Sequence, residues 1–372
     1  MTVEQTLSDL VAIDSVSSKS NAEIISHLAK RCERLGFHIQ TFPHADEHGV
    51  EKINLVARNI DSKAIELALV GHTDTVPYDP NWGDALNLTK KDGKLFGRGA
   101  CDTKAYIAAA LTAIESFDPA KLCKPLALVF TSDEEIGCLG AKRLADAKPF
   151  TAHYAIVGEP TSLQPMRAGK GYCLAEVTVR GREAHSAYPQ LGASAIFRAA
   201  RLIEKIESIA GELQTDQHQD FDPPCTTLNV GLINGGSAKN IIPGECRFTL
   251  EWRTIPRQNS NHVLDLIKAA IAELRKNDAD FVAEINASRA DVSFEISANS
   301  PLVDFLQQAS RKSSGTVAFG TEAPSMIALG AQAVVFGPGD IRVAHRTGEF
   351  VPADELNRCV EILLRAIRTF CE

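Results

Sequence analysis

Two histidines and a handful of acids stand in this 372-residue chain where they could do metal chemistry: His72 and Asp74, Asp102, Glu134 with Glu135, Glu159, and His345. His72 and Asp74 sit in Gly71-His72-Thr73-Asp74-Thr75-Val76-Pro77. On extended chain the two side chains of an H-x-D pattern project to the same side, so the Asp74 carboxylate is placed to steady an imidazole that binds a metal. A strand-end histidine that only hydrogen-bonds is the ordinary alternative. Two imidazoles and three or four carboxylates form a mixed N/O set suited to Zn²⁺ and its borderline neighbours. One catalytic zinc needs only three protein ligands, so the surplus points to two cations about 3.5–4 Å apart sharing a carboxylate. Such a centre acidifies a water, polarises a carbonyl and needs a base for the water's proton. Of the adjacent acids Glu134 and Glu135, one can bind metal while the other stays free for that task, and the sequence alone leaves open which.

The elements that must bring these residues together are apolar runs ending in turn signals. Leu67-Ala68-Leu69-Val70 runs into His72, Leu126 to Phe130 into Asp133-Glu134-Glu135, Ala155-Ile156-Val157 into Gly158-Glu159-Pro160-Thr161, and Val334-Val335-Phe336 into the loop that holds His345. Continuous apolar runs read as buried strands of a parallel sheet, whose carboxyl ends are where open α/β sheets keep their ligands. Asp102 precedes an Ala-rich helix and is equally readable as its N-cap or as a ligand carried inward by the flexible Gly97-Arg98-Gly99. Helical spacing covers Val3 to Leu35, broken near Ser15 to Asn21 and stopped at Gly36. From Tyr172 to about Ile285 the order is βαββαβ, the ferredoxin-like arrangement. The expected organisation is therefore a domain of residues 1–171 and 286–372 interrupted by an inserted domain of 172–285.

Composition excludes other classes. A chain of this length exceeds the roughly 150 residues typical of one domain. Hydrophobic content of 44% and charged content of 23% are those of a globular protein, and a formal charge of −8 without a basic stripe argues against a nucleic-acid surface. No run of about 18 apolar residues suggests a membrane span, and the first dozen residues lack a secretory pattern, so a cytoplasmic location is expected. Nine scattered cysteines without a C-x-x-C pair form neither a disulfide framework nor a zinc ribbon. Cys101 reads as packing.

Gly71 to Pro77, Gly97-Arg98-Gly99-Ala100-Cys101-Asp102, Asp133-Glu134-Glu135 and Gly158-Glu159-Pro160-Thr161 together resemble, in order, the signatures of the co-catalytic zinc amidohydrolases and exopeptidases. The resemblance covers nearly the whole chain. It implies an α/β fold: a zinc-exopeptidase-like catalytic domain with a mixed, mostly parallel sheet, plus an inserted ferredoxin-like α+β lid domain that pairs two subunits into a homodimer. It implies two divalent metal ions, zinc with cobalt possible. Asp102 would bridge them, His72 and Glu159 would complete one, and Glu135 and His345 the other. Glu134 would be the general base and Asp74 the partner of His72. Within the insert, Gly181 to Pro189 resembles the family's histidine motif, so His185 would stabilise the oxyanion from the partner subunit. Asn240 and Arg253 resemble its substrate-holding pair, Arg253 being suited to a free α-carboxylate. An exposed loop histidine, and an arginine paired to neighbouring Glu251, are the structural alternatives.

Within the family, Gly158 to Pro165, Gly320-Thr321-Glu322-Ala323-Pro324, and Ala344-His345 followed by Glu349 are most similar to members that deacetylate N²-acetyl-L-ornithine in arginine biosynthesis. Gly169 departs from them, standing where they tend to have histidine. A carboxylate at Glu322 suits a substrate side chain ending in an ammonium and would repel the extra carboxylate of N-succinyl-diaminopimelate. Hydrolysis of acetylornithine is thus the expected activity, with N-acetylcitrulline or N-succinyl-diaminopimelate as alternative substrates. A non-catalytic amino-acid-binding homologue is the alternative from another class.

Overall fold

Register decides where the candidate ligands end up. In the computed structural model, which describes residues 1–118, 121–278 and 280–372, strand Ala64–His72 pairs in parallel with Leu126–Thr131 on one side and Thr151–Val157 on the other. Thr151–Val157 pairs in parallel with Gln332–Val335. His72 lies opposite Thr131, Val70 opposite Val157, and Val157 opposite Val335, so the four carboxyl ends finish at one level. An antiparallel hairpin, His38–Ala45 with Glu51–Arg58, extends the sheet beyond Leu126–Thr131. With the antiparallel pairing of Val335 to Met166 on the other side, that hairpin makes the sheet a mixed one around its parallel centre.

Every residue of Leu126–Thr131 is buried, as an apolar strand covered on both faces requires. Helix Lys104–Glu115 is buried along its whole length except Glu115, so it is a core helix in which alanine allows close approach to its neighbours. Amphipathic helices Val3–Val11, Ala22–Arg34 and Ala353–Cys371 turn Leu7, Leu10, Ile24, Leu28, Leu356 and Leu363 into the same core. Thr2 caps the first in a reciprocal capping box with Gln5, and Gly36 takes the left-handed φ of +80° that ends the chain's second helix.

The chain divides into two compact units: residues 1–167, 296–315 and 321–372, and residues 168–295 with 316–320. The second contains the expected 172–285 segment and is wider. Its last long strand runs Val282–Asp291 rather than stopping at Ile285, and Phe294 pairs back onto Gly169. In this unit the strands run antiparallel in the spatial order Thr227–Gly235, Glu245–Arg253, Tyr172–Arg180, Val282–Asp291. Helices Ala195–Leu213 and His262–Asn277 contribute Leu202, Ile206, Val263 and Ile267 to a separate core with Val177, Phe248 and Trp252. Two helices and a sheet of that order form the ferredoxin-like α+β arrangement.

Candidate metal centre

Because the parallel strands end level, the chain beyond each enters the same space. His72 is buried, its Nε2 is 3.1 Å from Asp102 Oδ1, and its Nδ1 is 3.0 Å from the Asp74 carbonyl oxygen. The other oxygen of Asp102 lies 3.1 Å from His345 Nε2, which is 3.0 Å from Glu135 Oε2. Asp102 therefore faces one imidazole with each oxygen, the arrangement a bridging carboxylate needs. Ligand atoms of His72, Glu134 and Glu159 lie within 4.8 Å of one another, as do those of Asp102, Glu135 and His345.

The sequence left Asp102 between cap and ligand. Its side chain turns to the two histidines, and helix Lys104–Glu115 starts with Thr103 at the N-cap and no side-chain cap bond. The Asp74 carboxylate itself stands 3.7 Å from His72 Nδ1, the bond to that nitrogen coming from the Asp74 backbone. It accepts the backbone N–H of Glu134 at 3.1 Å and of Glu135 at 3.2 Å, and the Ser17 hydroxyl at 2.8 Å, so one carboxylate holds the loop that presents both acids. Asp133, the first of the three consecutive acids, points elsewhere, pairing with buried Lys52 at 2.9 Å. Lys52 also donates to the carbonyl oxygens of Ser17 and Lys19. Neither Lys52 nor Ser17 sits in a motif, and a buried lysine is recognisable only once the fold places an acid beside it. The Cys138 thiol donates to Glu134 Oε1 at 3.2 Å.

The donor set asks for cations. Burial, then the charges of Glu135 and Asp102, push Glu134 up to about 8 despite nearby His72. Burial, followed by Asp102 and Glu134, raises Glu159 well above the usual range, and Glu159 Oε1 is buried without a hydrogen-bond partner among the described residues. Hydrogen bonds donated to Asp102 and Glu135 raise His345 to about 10, while the buried His72 is raised well above its ordinary value by Asp102 and Asp74. Without metal, protons on the imidazoles and on Glu134 and Glu159 therefore do the neutralising, and bound cations would displace them.

This gives the metal-free protein a defined pH dependence. Carboxyls raised above an unfolded value near 4.5 favour the folded state less as pH climbs towards 8, and the paired histidines lose their contribution as pH passes from 6.5 towards 10. Both signs agree. The urea midpoint of chelator-treated protein is expected to fall from pH 5 to pH 8.5, and saturating Zn²⁺ is expected to flatten that slope; a midpoint rising with pH would contradict the arrangement.

Glu322 adjoins this site. It is fully buried, neither carboxylate oxygen makes a hydrogen bond among the described residues, and burial pushes it up to about 7 near His72, with the Thr131 hydroxyl as its polar neighbour. In the second unit, His185 is exposed on a two-residue strand opposite Ile241, and Ser186 N–H donates to the Asn240 carbonyl at 3.0 Å, so the histidine motif and the Asn240 segment meet. Arg253, at the end of its strand, donates Nε to Glu251 at 2.9 Å and Nη1 to the Ala318 carbonyl at 2.7 Å, with its guanidinium 4.3 Å from the centre of the Tyr172 ring. The pairing to Glu251 is present, and the guanidinium carries further N–H groups beyond the two engaged.

A mostly parallel sheet with a His/carboxylate cage at its carboxyl ends, and a separate α+β unit inserted in the chain, defines the class of metal-dependent hydrolases with an inserted second domain. The chain belongs to peptidase family M20/M25/M40, whose model matches residues 68–369. It is 52% identical over 369 residues to an acetylornithine deacetylase of Myxococcus xanthus, covering 98% of this chain and 97% of that one. It is 32% identical to an acetylornithine deacetylase of Vibrio parahaemolyticus, covering 97% of each. Among solved structures, a tripeptidase from Staphylococcus aureus is similar with a TM-score of 0.80 at 26% identity, covering 99% of this chain and 97% of that one. An M20 family metallo-carboxypeptidase from Sulfolobus solfataricus shares the fold with a TM-score of 0.76 at 20% identity, covering 100% and 99%.

Proposed function

We propose that this protein hydrolyses N²-acetyl-L-ornithine to L-ornithine and acetate, a step of arginine biosynthesis, using two divalent cations, zinc or cobalt. The observation that carries the reading is the continuous cage in which Asp102 faces His72 with one oxygen and His345 with the other, with Glu134 beside it. His72 and Glu159 would hold one cation, Glu135 and His345 the other, with Asp102 between. Bound cations would lower the pKa of a water and polarise the acetyl carbonyl.

The remaining work falls to side chains. Glu134 takes the proton from the attacking water and delivers it to the leaving amine, its carboxylate steadied by the Cys138 thiol. Asp74 fixes the His72 ring and the loop carrying Glu134. The partner subunit's His185 donates to the oxyanion, Asn240 helps hold the substrate, and Arg253 receives its α-carboxylate. Exposed Leu232 and Ile233 on edge strand Thr227–Gly235, with Phe197 on the neighbouring helix, support pairing of two copies through the second unit. No helix among the described residues is long and apolar enough to cross a membrane. Nine free cysteines fit the reducing cytoplasm in which amino acids are made.

Glu322 distinguishes the substrates. A buried carboxylate with no cationic partner among the described residues favours a substrate bringing an ammonium to it. Glu322→Gln is expected to lower kcat/KM for acetylornithine by about 10- to 100-fold, the worth of a hydrogen bond to a charged group, and to affect N-acetylcitrulline much less. Specificity constants for acetylornithine, N-acetylcitrulline and N-succinyl-diaminopimelate on zinc-loaded enzyme test the whole reading. A preference for the succinyl compound would remove acetylornithine, and no turnover of any of them with metal bound would leave a binding protein.

A further inference from the structure

Glu349 is fully buried, and its carboxylate gathers almost an entire turn of chain. Oε1 accepts the backbone N–H of Cys101 at 2.8 Å and of Asp102 at 3.0 Å, while Oε2 accepts that of Gly99 at 3.2 Å and the Arg98 guanidinium. Its own carbonyl accepts Gly97 N–H at 3.1 Å. Just beyond it, strand Phe350–Pro352 pairs antiparallel with Lys94–Phe96, placing Phe350 opposite Phe96. The turn so gripped has little slack. Gly99 has a φ of +76°, and a Cβ there would stand 2.8 Å from Thr75 Cγ2 and 2.9 Å from Lys104 Cδ. The turn ends at Asp102, and four residues before Glu349 the same loop carries His345, itself 3.1 Å from Asp102. One side chain thus joins two segments about 250 residues apart in the sequence, each bearing a candidate ligand.

The geometry points to Glu349 as a positioning residue that sets the Asp102 carboxylate between His72 and His345, a role that rests on the proposal that these side chains hold metal. It makes no contact with metal or substrate itself. Charge-assisted bonds from three amides and a guanidinium hold the turn more firmly than water or neutral acceptors would. An amide in its place offers one acceptor oxygen and turns an NH₂ group towards N–H donors, so Glu349→Gln loosens the turn at nearly constant volume. Glu349→Asp keeps the charge opposite Arg98 but withdraws the oxygens by one methylene.

The test uses full-length protein. In metal-free Glu349→Gln, hydrogen exchange in a peptide spanning residues 97–102 is expected to quicken while the central strands stay protected. Cobalt(II) loaded into the site and followed by its absorption is expected to pass to a chelator about 10- to 100-fold faster, the usual cost of losing a group that orients a ligand. With saturating Zn²⁺, kcat for acetylornithine is expected to fall while KM holds, and Glu349→Asp is expected to lie between Gln and wild type in all three measurements. Folded Glu349→Gln with wild-type exchange at 97–102 and wild-type cobalt release would overturn the proposal. So would failure of both variants to fold, which would make Glu349 a folding residue. Exchange and cobalt release need no substrate, so they stand or fall separately from the assignment of acetylornithine.

Discussion

Glu134→Gln is expected to lower acetylornithine hydrolysis by about 10²–10⁴-fold in kcat, as loss of proton transfer alone would, and to bind as many zinc ions per chain as the wild type. Glu134 is 9% exposed and its carboxylate lies within ligand distance of both His72 and Glu159, so geometry alone allows it to be a third ligand of that group. The two roles differ in what the variant loses. A base removed as its isosteric amide leaves the cage intact, because His72, Asp102, Glu135, Glu159 and His345 remain and the loop is still held by Asp74 through the Glu134 and Glu135 amides. Metal analysis beside single-turnover kinetics checks it: loss of one zinc from the variant would make Glu134 a ligand, and retained turnover would remove it from the base role.

Asp102→Ala is expected to do the opposite, costing metal before chemistry. It leaves both imidazoles without the oxygen each now faces at 3.1 Å and removes the only side chain that meets both among the described residues. Burial alone would raise Asp102, yet His345 and His72 hold it below the usual carboxylate range, which measures how strongly its negative charge is engaged. Affinity should fall by more than the 10–100-fold typical of losing an orienting group behind a ligand, with no measurable turnover at stoichiometric Zn²⁺. Zinc titration by calorimetry reads this directly. Two cations bound at wild-type affinity would mean that Asp102 is not shared. The variant should also lose the protonated-histidine contribution to metal-free stability at pH 6, since the raised pKa values of His72 and His345 depend on that carboxylate.

Much of this site was legible from the chain. Apolar runs predicted strands ending at His72, Glu134, Glu159 and near His345, because a strand buried on both faces leaves its mark on every residue and a turn motif marks its end. Other features were not legible. Asp102 followed by an alanine-rich helix satisfies the pattern of a cap as well as of a ligand, and what draws its side chain away from the cap is His72 and His345, 30 and 243 positions away. Asp133-Glu134-Glu135 presents three like charges whose sequence cannot say that one belongs to Lys52. The second unit extends beyond the expected 172–285 for a similar reason: Ser288 to Asp291 is too polar to announce a strand, and its membership is decided by pairing with Tyr172–Arg180.

What the sequence by itself determined is the inventory: which residue types close each strand, that two imidazoles and several carboxylates suit divalent cations, and that a βαββαβ segment interrupts the host domain. Composition and periodicity are local properties, and local patterns suffice for those conclusions. Only the tertiary structure decided which oxygen of Asp102 faces which histidine, that Asp74 braces the Glu134 loop, and that Glu349 grips the turn bearing Asp102. Those depend on strand register and on contacts between distant segments, and the free energy of a buried charge is set by whatever neighbour the fold brings within a few ångströms, which no single stretch of chain contains.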